Sequence, residues 1–226
     1  MKLGFKKILI ISPHADDEVL GCAGMISKFS NLDINVLVCS NANIGAPELF
    51  SKLLIKKIRS ETLKSHKFLK IKKTFFLDLP APKLDQYPIY KISNMIRKII
   101  IDNKYDTVFM PSNSDLHIDH KIISHCTVVA TRPINNFKIN LISYETLSET
   151  DWGIYEDDKI FIPNFFLSLS SKNLKDKIKS FKYFKTQNKD KLHPRSSSGI
   201  KTLAENRGKL IGEKYAEAYR IIRFLG

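Results

Sequence analysis

The strongest constraint on the fold is an alternation between short apolar runs and longer segments with helical spacing, which continues through the first two thirds of the 226-residue chain. The runs are rich in Ile, Val, Leu and Phe, as in KILIIS and INVLVCS. Continuous apolar runs are typical of parallel strands buried on both faces, and their alternation with helices is typical of βαβ units. The pattern predicts a Rossmann-like, doubly wound α/β fold with a mostly parallel sheet of about five or more strands.

The predicted strands lie at residues 7–12, 34–40, 74–79, 106–112 and 139–146. The predicted helices lie at about residues 18–30, 47–69, 89–101, 118–131, 172–184 and 198–214. After Glu145 the pattern changes, and we expect a loop and a short strand or hairpin before the last two helices, as a C-terminal strand and helix appendage. With 43% hydrophobic residues the chain can bury a sizeable core, so residues 1–226 are expected to form a single domain.

Polar stretches follow four of the predicted strands. PHADDE comes after the first strand, SNANIG after the second, DLPAPKLDQ after the third and SNSDLHIDH after the fourth. In open α/β sheets, ligands bind outside the carboxyl ends of the strands. The sequence therefore predicts one crevice that collects these side chains.

Two of these stretches carry pairs of metal-binding residue types. His14 and Asp17 are three residues apart, as are His117 and His120, and in the first turn of a helix this spacing directs both side chains of a pair to one side. Two imidazoles and one carboxylate from adjacent strand ends suit zinc with one position open for water, which is the arrangement of a catalytic site. A divalent cation would also explain why three acidic residues crowd the end of an apolar strand.

The same stretches resemble a known family. PHADDEVLGCAG followed by DLHIDH is similar to the motifs of the zinc-dependent N-acetylglucosaminyl deacetylases, the PIG-L/LmbE superfamily, which usually has Pro where this chain has Ala15. ATRP, YETLSETDW, FIPN, LHPRS and RGKLIGEKYAEAYRI extend the resemblance over nearly the whole chain, to a bacterial branch often associated with surface-polysaccharide sugars. The resemblance implies a hydrolase that removes acetyl from the N-acetylamino group of a sugar, as a GlcNAc-type glycoside, nucleotide sugar or related small molecule.

The resemblance also implies roles for individual residues. The implied ligands of one Zn²⁺ per chain are His14, Asp17 and His120. Asp16 would be the general base for a zinc-activated water molecule. His117 would be the electrophilic or general-acid partner, and Asp119 its orienting neighbour.

Three further residues are candidates for substrate binding. Arg59 matches the position where relatives place a substrate-binding arginine, and its alternative is a surface ion pair with Glu61. Arg195 in HPRSSS could clamp an anionic substituent through its guanidinium group, or lie in a solvated loop. Trp152 could contact the sugar or another subunit, although such residues more often belong to a core.

The net charge of +14 favours anionic partners. The lysines are interleaved with apolar residues at helical spacing, as in KSHKFLKIKK and KNLKDKIKSFKYFK. This pattern is typical of solvated helix faces, with a true anion-binding surface as the alternative.

The compartment can also be predicted. Cys22, Cys39 and Cys126 lie in apolar segments without a C-x-x-C pair, which favours a reducing environment. No small-residue cleavage site follows the first apolar run, and no segment has the roughly 18 apolar residues that a membrane span needs. We therefore expect a cytoplasmic protein without a membrane span, and the resemblance adds the expectation of a homo-oligomer.

Two other function classes compete with the deacetylase hypothesis. A metal-dependent phosphoester hydrolase would suit the positive charge, but two-metal sites usually need more ligands than these two pairs offer. A non-catalytic nucleic-acid-binding domain would use the basic surface, yet the sequence contains no helix-turn-helix, zinc-finger or RNP-type pattern. A small acetylamino sugar is therefore the expected partner, and nucleic acid is not.

Overall fold

The computed structural model describes residues 4–153 and 160–225. In chain order its elements are β1 (Lys7–Ser12), α1 (Asp17–Lys28), β2 (Asp33–Asn41), α2 (Ala42–Gly45), α3 (Lys52–Phe68), β3 (Lys73–Pro80), a short 3₁₀ helix (Leu84–Gln86), α4 (Ile89–Asp102), β4 (Thr107–Pro111), α5 (Ile118–Ala130), β5 (Asn140–Tyr144), β6 (Phe165–Ser168), α6 (Ser171–Phe181), α7 (Ser197–Lys209) and β7 (Ala216–Arg223).

These strands form one sheet in the order β3-β2-β1-β4-β5-β7-β6. The first five strands of the chain are parallel to one another, whereas β7 is antiparallel to both β5 and β6. The predicted class, a doubly wound α/β fold with a mostly parallel sheet, is confirmed. The strand order reverses between β1 and β4, and this is the position at which open α/β sheets bind ligands.

Helices cover both faces of the sheet, and β1 shows why its sequence is apolar throughout. Ile8 and Ile10 contribute to a core beneath α1, α6 and α7, while Leu9 and Ile11 point to the opposite core beneath α4 and α5. All four side chains are fully buried. A parallel strand with helices on both sides needs apolar residues at every position, not only at alternate ones.

A close approach between α1 and β5 fixes the position of the turn between β1 and α1, where the candidate site begins. A Cβ atom added at Gly21 would lie 2.2 Å from the Tyr144 ring, so a larger residue could not pack there without displacing the helix. The Tyr144 hydroxyl donates a hydrogen bond to the Ile11 carbonyl oxygen over 2.8 Å. The end of β1 and the first turns of α1 are thereby held against β5.

The C-terminal segment differs most from the sequence-based expectation. The short strand predicted in the appendage is β6, which forms the edge of the main sheet, and β7, which was not predicted, lies between β5 and β6. The predicted helix at residues 198–214 ends at Lys209, and Gly212 then turns the chain with a φ of 72°. Of the expected loop and hairpin before β6, residues 154–159 lie outside the described residues.

The buried charge of Glu217 is compensated inside the protein. Its carboxylate accepts hydrogen bonds from the backbone N–H groups of Gly24 and Met25 (2.8 and 2.6 Å) and from Lys177 (2.6 Å). These contacts, made across a long stretch of sequence, hold β7 to α1 and α6. Across residues 4–153 and 160–225, no helix has the length and apolar character needed to cross a membrane.

Candidate metal centre and active-site cleft

The turn after β1 separates two neighbouring carboxylates. Asp16 precedes α1 with a φ of 112°, in the left-handed region that non-glycine residues rarely adopt. Glu18 stabilises this turn, because its Oε2 accepts hydrogen bonds from the Asp16 N–H (3.1 Å) and the Ser12 hydroxyl (2.7 Å). Asp17 is the first residue of α1, and its Oδ2 accepts a hydrogen bond from the His14 N–H over 2.8 Å. The two acidic side chains therefore have different partners.

Three side-chain atoms converge between this turn and α5. His14 Nδ1 lies 3.5 Å from Asp17 Oδ2 and 3.2 Å from His120 Nε2, and Asp17 Oδ2 lies 3.2 Å from His120 Nε2. Ligand atoms about 2.0–2.1 Å from a tetrahedral zinc ion lie about 3.3–3.4 Å from one another. The spacing of the three residues therefore fits a zinc ion. Asp17 and His120 are buried, whereas the His14 side chain is 28% exposed and faces the cleft.

Two carboxylates orient the imidazoles from the side away from this cluster. Asp115 Oδ2 lies 2.8 Å from His120 Nδ1, and its Oδ1 accepts a hydrogen bond from the Thr150 hydroxyl over 2.6 Å. Asp119 Oδ2 lies 3.0 Å from His14 Nε2. Contacts of this kind fix the ring orientation and the tautomer of metal-binding histidines.

The surrounding charges favour a cation at the cluster. Burial opposes a charged imidazole at His14, but hydrogen bonds to Asp119 and Asp17 outweigh it and raise the pKa of His14 to about 9. At His120, burial is likewise outweighed by the charge of Asp17 and the hydrogen bond to Asp115, which raise its pKa. The pKa of Asp17 is lowered, despite burial, by the positive charge of His120.

Asp16 lies in a very different environment. Burial and the neighbouring charge of Asp17 raise its pKa well above the usual value for a carboxyl group, and within the described residues its Oδ2 has no hydrogen-bond partner. Arg195 Nη1 lies 3.7 Å from this oxygen. The same guanidinium group donates to the Ser148 hydroxyl (2.6 Å) and to Glu149 Oε1 (2.7 Å). Arg195 therefore lies in the site, next to Asp16.

His117 caps the start of α5 and borders the cleft. Its Nδ1 accepts a hydrogen bond from the Asp119 N–H over 3.1 Å, so in the neutral ring the proton is on Nε2. Burial and the nearby charge of His14 lower the pKa of His117 to about 4. The Asp119 carboxylate lies 3.9 Å from His117 Nδ1 but 3.0 Å from His14 Nε2. Asp119 thus contacts His117 through its backbone and His14 through its side chain.

A cleft of about 270 Å³ lies next to this cluster, near the lower end of the roughly 300–1,000 Å³ typical of ligand pockets. Its lining includes the polar residues His14, Asp16, Asn41, Arg59, His117, Glu149 and Arg195. Its apolar wall includes Phe50, Ile55, Ile58 and Phe76. A lining that combines charged and apolar groups can fix the orientation of a small ligand.

Arg59 borders the cleft, but its ion pair differs from the sequence-based alternative. Its Nη2 pairs with Asp78 Oδ1, and its guanidinium group lies 4.7 Å from the centre of the Phe76 ring. Asp78 also accepts a hydrogen bond from the Asn41 side chain over 2.8 Å. Glu61 accepts hydrogen bonds from Thr186 (3.2 and 2.6 Å).

Trp152 is not among the residues that line the cleft. Its side chain is 44% exposed and packs edge-on against His193, with ring centres 5.4 Å apart. The structure thus brings eight of the nine predicted site residues to one cleft or its supporting contacts and places Trp152 outside the lining.

Sequence reasoning missed three acidic residues of the site. Asp115 orients His120, Glu149 pairs with Arg195, and Asp78 pairs with Arg59. Asp78 offers a sequence signal, because it interrupts the otherwise apolar run TFFLDL. Asp115 lies in the polar stretch that carries His120, but nothing in its spacing distinguishes it from a surface residue.

The fold and the cluster together define an α/β protein with a candidate metal centre at the carboxyl ends of two neighbouring strands. Residues 9–131 match the PIG-L family, described as GlcNAc-PI de-N-acetylase. This segment includes both histidine-bearing stretches and more than half of the chain. The protein belongs to the PIG-L family.

Relatives of known name share the fold across nearly the whole chain. The chain is 25% identical to the diacetylchitobiose deacetylase of Thermococcus kodakarensis, over 96% of this chain and 83% of that protein. It is similar in structure to the N,N'-diacetylchitobiose deacetylase of Pyrococcus horikoshii, with a TM-score of 0.78, 22% identity, and coverage of 97% and 84% of the two chains. The 4-carboxy-2-hydroxymuconate hydratase GalB of Pseudomonas putida is also similar, with a TM-score of 0.71, 16% identity, and coverage of 98% of each chain. At these identities the two structural likenesses show the fold alone.

Proposed function

We propose that this protein is a zinc-dependent hydrolase that removes the acetyl group from the N-acetylamino group of a sugar. The observation that carries the proposal is the convergence of His14, Asp17 and His120 beside a separate buried carboxylate, Asp16. Family membership and the named deacetylase relatives support the same reaction. The likeness to a hydratase shows that this fold serves other reactions, so the proposal depends on the site and not on the fold.

The three-residue cluster would hold one zinc ion per chain. A zinc ion with an open position lowers the pKa of a water molecule to about 7 and polarises a carbonyl group. The chain's part is to fix the ligands, since Asp115 and Asp119 hold the imidazoles of His120 and His14. Both imidazoles must be neutral to bind, so metal binding would displace their protons.

Asp16 would act as the general base. Its buried oxygen without a hydrogen-bond partner borders the cleft, and its raised pKa suits a group that accepts a proton and later donates it. It would take the proton of the attacking water molecule and transfer it to the departing sugar amine. Arg195, 3.7 Å away, would hold this carboxylate in place, which differs from the anion clamp considered from the sequence.

His117 would donate a hydrogen bond to the oxygen of the scissile amide. Its Nε2 carries the proton in the neutral ring, because Nδ1 is occupied by the Asp119 N–H. A donor fixed before the reaction stabilises the negative charge that develops on this oxygen in the transition state. With a pKa of about 4, His117 would act as a neutral donor.

The opposite wall would bind the sugar. Arg59 is held by Asp78 across the Phe76 ring, so part of its donor set stays available to sugar hydroxyl groups. Trp152 remains a candidate only for contacts outside the cleft, with substrate or another subunit. GlcNAc-type glycosides and nucleotide sugars, as in polysaccharide biosynthesis, are the proposed substrates, and the three free buried cysteines support a reducing, cytoplasmic setting.

The phosphoesterase alternative receives less support. A second group of residues, His14, His117 and Asp119, could hold a cation, but it shares His14 with the first group. A neutral imidazole has one free lone pair for a metal ion, so His14 cannot serve both groups in that form. Two-metal hydrolases also place their ions about 3.5–4 Å apart, closer than the opposite nitrogens of one ring allow.

The direct test is acetate release by the zinc-loaded protein from N-acetyl sugars, UDP-linked N-acetyl sugars and N-acetylglucosaminyl glycosides. Phosphate release from p-nitrophenyl phosphate is measured in parallel. We expect acetate release from at least one acetylamino sugar, abolished by a chelator and restored by zinc. Phosphate release without acetate release would refute the proposed reaction.

A further inference from the structure

We propose that a lysine-lined groove between α3 and α6 binds an acidic saccharide chain alongside the active-site cleft, an inference that rests on the proposed function. The groove has a volume of about 870 Å³, compared with about 270 Å³ for the cleft. Its lining includes six exposed lysines, which are Lys56, Lys57, Lys64, Lys179, Lys182 and Lys185. They come from the two walls of the groove and face a common space.

The fold brings together two lysine-rich runs that are distant in sequence. Lys64 belongs to KSHKFLKIKK, whereas Lys179, Lys182 and Lys185 belong to KNLKDKIKSFKYFK. The sequence pattern favoured separate solvated helix faces. In the structure α3 and α6 lie side by side, so lysines from both runs line one concavity. Such a concentration of one charge attracts an anion with several charged groups.

The positive charge of the groove is largely uncompensated by the chain. No described carboxylate forms an ion pair with Lys56, Lys57, Lys64, Lys182 or Lys185, while Lys179 lies 4.9 Å from the centre of the Phe68 ring. Among the lining residues Glu61 alone is acidic. An anionic ligand could therefore pair with these lysines without displacing an existing partner.

Glu61 indicates that the ligand offers hydroxyl groups as well as anionic groups. Its carboxylate is 5% exposed, and Oε2 accepts hydrogen bonds from Thr186, but within the described residues Oε1 has no donor. A buried acceptor without a donor is costly. Sulfate supplies no such donor at neutral pH and phosphate has only its remaining P–OH groups, whereas a saccharide offers a hydroxyl donor at most of its ring carbons. Tyr183 adds an aromatic side chain to the same lining, of the kind against which a sugar ring packs.

The dimensions and position of the groove favour a chain over a single sugar. The lining of α3 runs from Leu53 to Lys64, which is about 16 Å along a helix axis at roughly 1.5 Å per residue. Ile58 and Arg59 of the same helix line the active-site cleft. A saccharide chain in the groove would thus lie along the helix that also borders the reacting sugar.

The test measures binding to the full-length, zinc-loaded protein by calorimetry. The probes are a size-defined, sulfated heparin hexasaccharide, tripolyphosphate, and a poly-glutamate peptide of the same charge as the hexasaccharide. We expect the hexasaccharide to bind most tightly and its affinity to fall as salt is raised. The triple variant Lys56→Glu, Lys64→Glu, Lys182→Glu should bind it about tenfold or more weakly, because each reversed charge replaces an attraction by a repulsion.

The matched control carries the same charge change on exposed lysines elsewhere. In the control Lys91→Glu, Lys138→Glu, Lys209→Glu, affinity for the hexasaccharide should change less than about twofold. An equal loss in both variants would mean that net charge alone attracts the probe and would overturn the proposal. Equal or tighter binding of poly-glutamate or tripolyphosphate would overturn the assignment to a saccharide.

Binding and turnover are measured separately. Far-ultraviolet circular dichroism verifies that each variant is folded, and substitutions to Gln at the three groove positions replace the Glu series if it is not. Failure of acetate release from every acetylamino sugar would refute the proposed function while leaving the binding result interpretable. Acetate release from a neutral sugar without hexasaccharide binding would refute the groove proposal alone.

Discussion

The histidine-bearing stretches after β1 and β4 and the C-terminal segment contribute to the cleft in different ways. In the first two, each pair of residues three apart lies at the start of a helix: Asp17 and His120 are in the first turn, and His14 and His117 come just before it. The C-terminal segment contributes Arg195, which pairs with Glu149, 46 residues earlier in the chain, and approaches Asp16. The candidate ligands therefore come from short motifs at two strand ends, whereas single contacts distant in sequence define the environment of the proposed base.

The largest effect is expected from the local part of the site. His120→Ala removes a buried ligand, so zinc content should fall from about one ion per chain to nearly none, with loss of acetate release. The matched control is His125→Ala, an exposed histidine of the same helix, which should retain both. Elemental analysis and activity assays measure the two properties. Retention of stoichiometric zinc by His120→Ala would contradict the ligand assignment.

The next effect separates two adjacent and chemically identical residues. Asp16→Asn should retain zinc but lose activity by roughly 10²- to 10⁴-fold, the usual contribution of a general base. Asp17→Asn should bind zinc more weakly, so that excess zinc partly restores its activity. Zinc content and acetate release are measured with and without added metal. A zinc-poor Asp16→Asn together with a zinc-replete, inactive Asp17→Asn would reverse the two roles.

A smaller effect is expected from a residue that orients a ligand. Asp115→Asn should weaken zinc affinity by about 10- to 100-fold, because His120 loses the carboxylate that fixes its ring. Competition with a chelator measures this affinity. Asp102→Asn, at an exposed ion pair with Lys98, serves as the control. Equal affinities of the Asp115→Asn and wild-type proteins would show that the negative charge of Asp115 is not needed to orient His120.

The smallest effect on turnover tests the contribution of the C-terminal segment. Arg195→Gln should lower kcat about tenfold and change the KM for a neutral acetylamino sugar less than about twofold, since the proposed contact is with the base. Arg220→Gln, an exposed position on β7, is the control and should leave both constants unchanged. A raised KM for a UDP-linked N-acetyl sugar with an unchanged kcat would instead favour the anion clamp considered from the sequence.

The parts of the fold that could be predicted are those specified by local pattern. β1 and α5 appear at the expected positions, because a continuous apolar run and a helical spacing are properties of neighbouring residues. The strand β7 could not be predicted in this way. Its segment AEAYRIIR contains Glu217, whose buried carboxylate is stabilised by Lys177 and by backbone N–H groups of α1. These partners are distant in sequence, so the local pattern does not indicate them.

The candidate site shows the same division. The spacing within PHADDE and DLHIDH indicated a metal site with imidazoles from both stretches, and the resemblance implied His14 and His120 as ligands. The structure brings their ring nitrogens to 3.2 Å. The Asp119 carboxylate contacts His14 more closely than His117 because β1 and β4 are neighbouring strands, which brings the start of α5 next to the turn after β1. Such a contact between two strand ends cannot be read from either stretch alone.

The left-handed backbone at Asp16 implies that the proposed activity and the stability of the fold favour different residues at this position. A non-glycine residue in this conformation costs about 1–3 kcal/mol of strain, and this one also carries a buried, raised-pKa carboxyl group. Asp16→Gly should therefore increase the free energy of unfolding of the zinc-free protein by about 1 kcal/mol, as measured by urea titration, and should abolish acetate release. A variant less stable than the wild type would show that the packing of Asp16 outweighs the strain. Selection for resistance to unfolding alone would replace this aspartate by glycine. A population of variants screened only for thermostability should therefore accumulate Gly at position 16 and lose deacetylase activity.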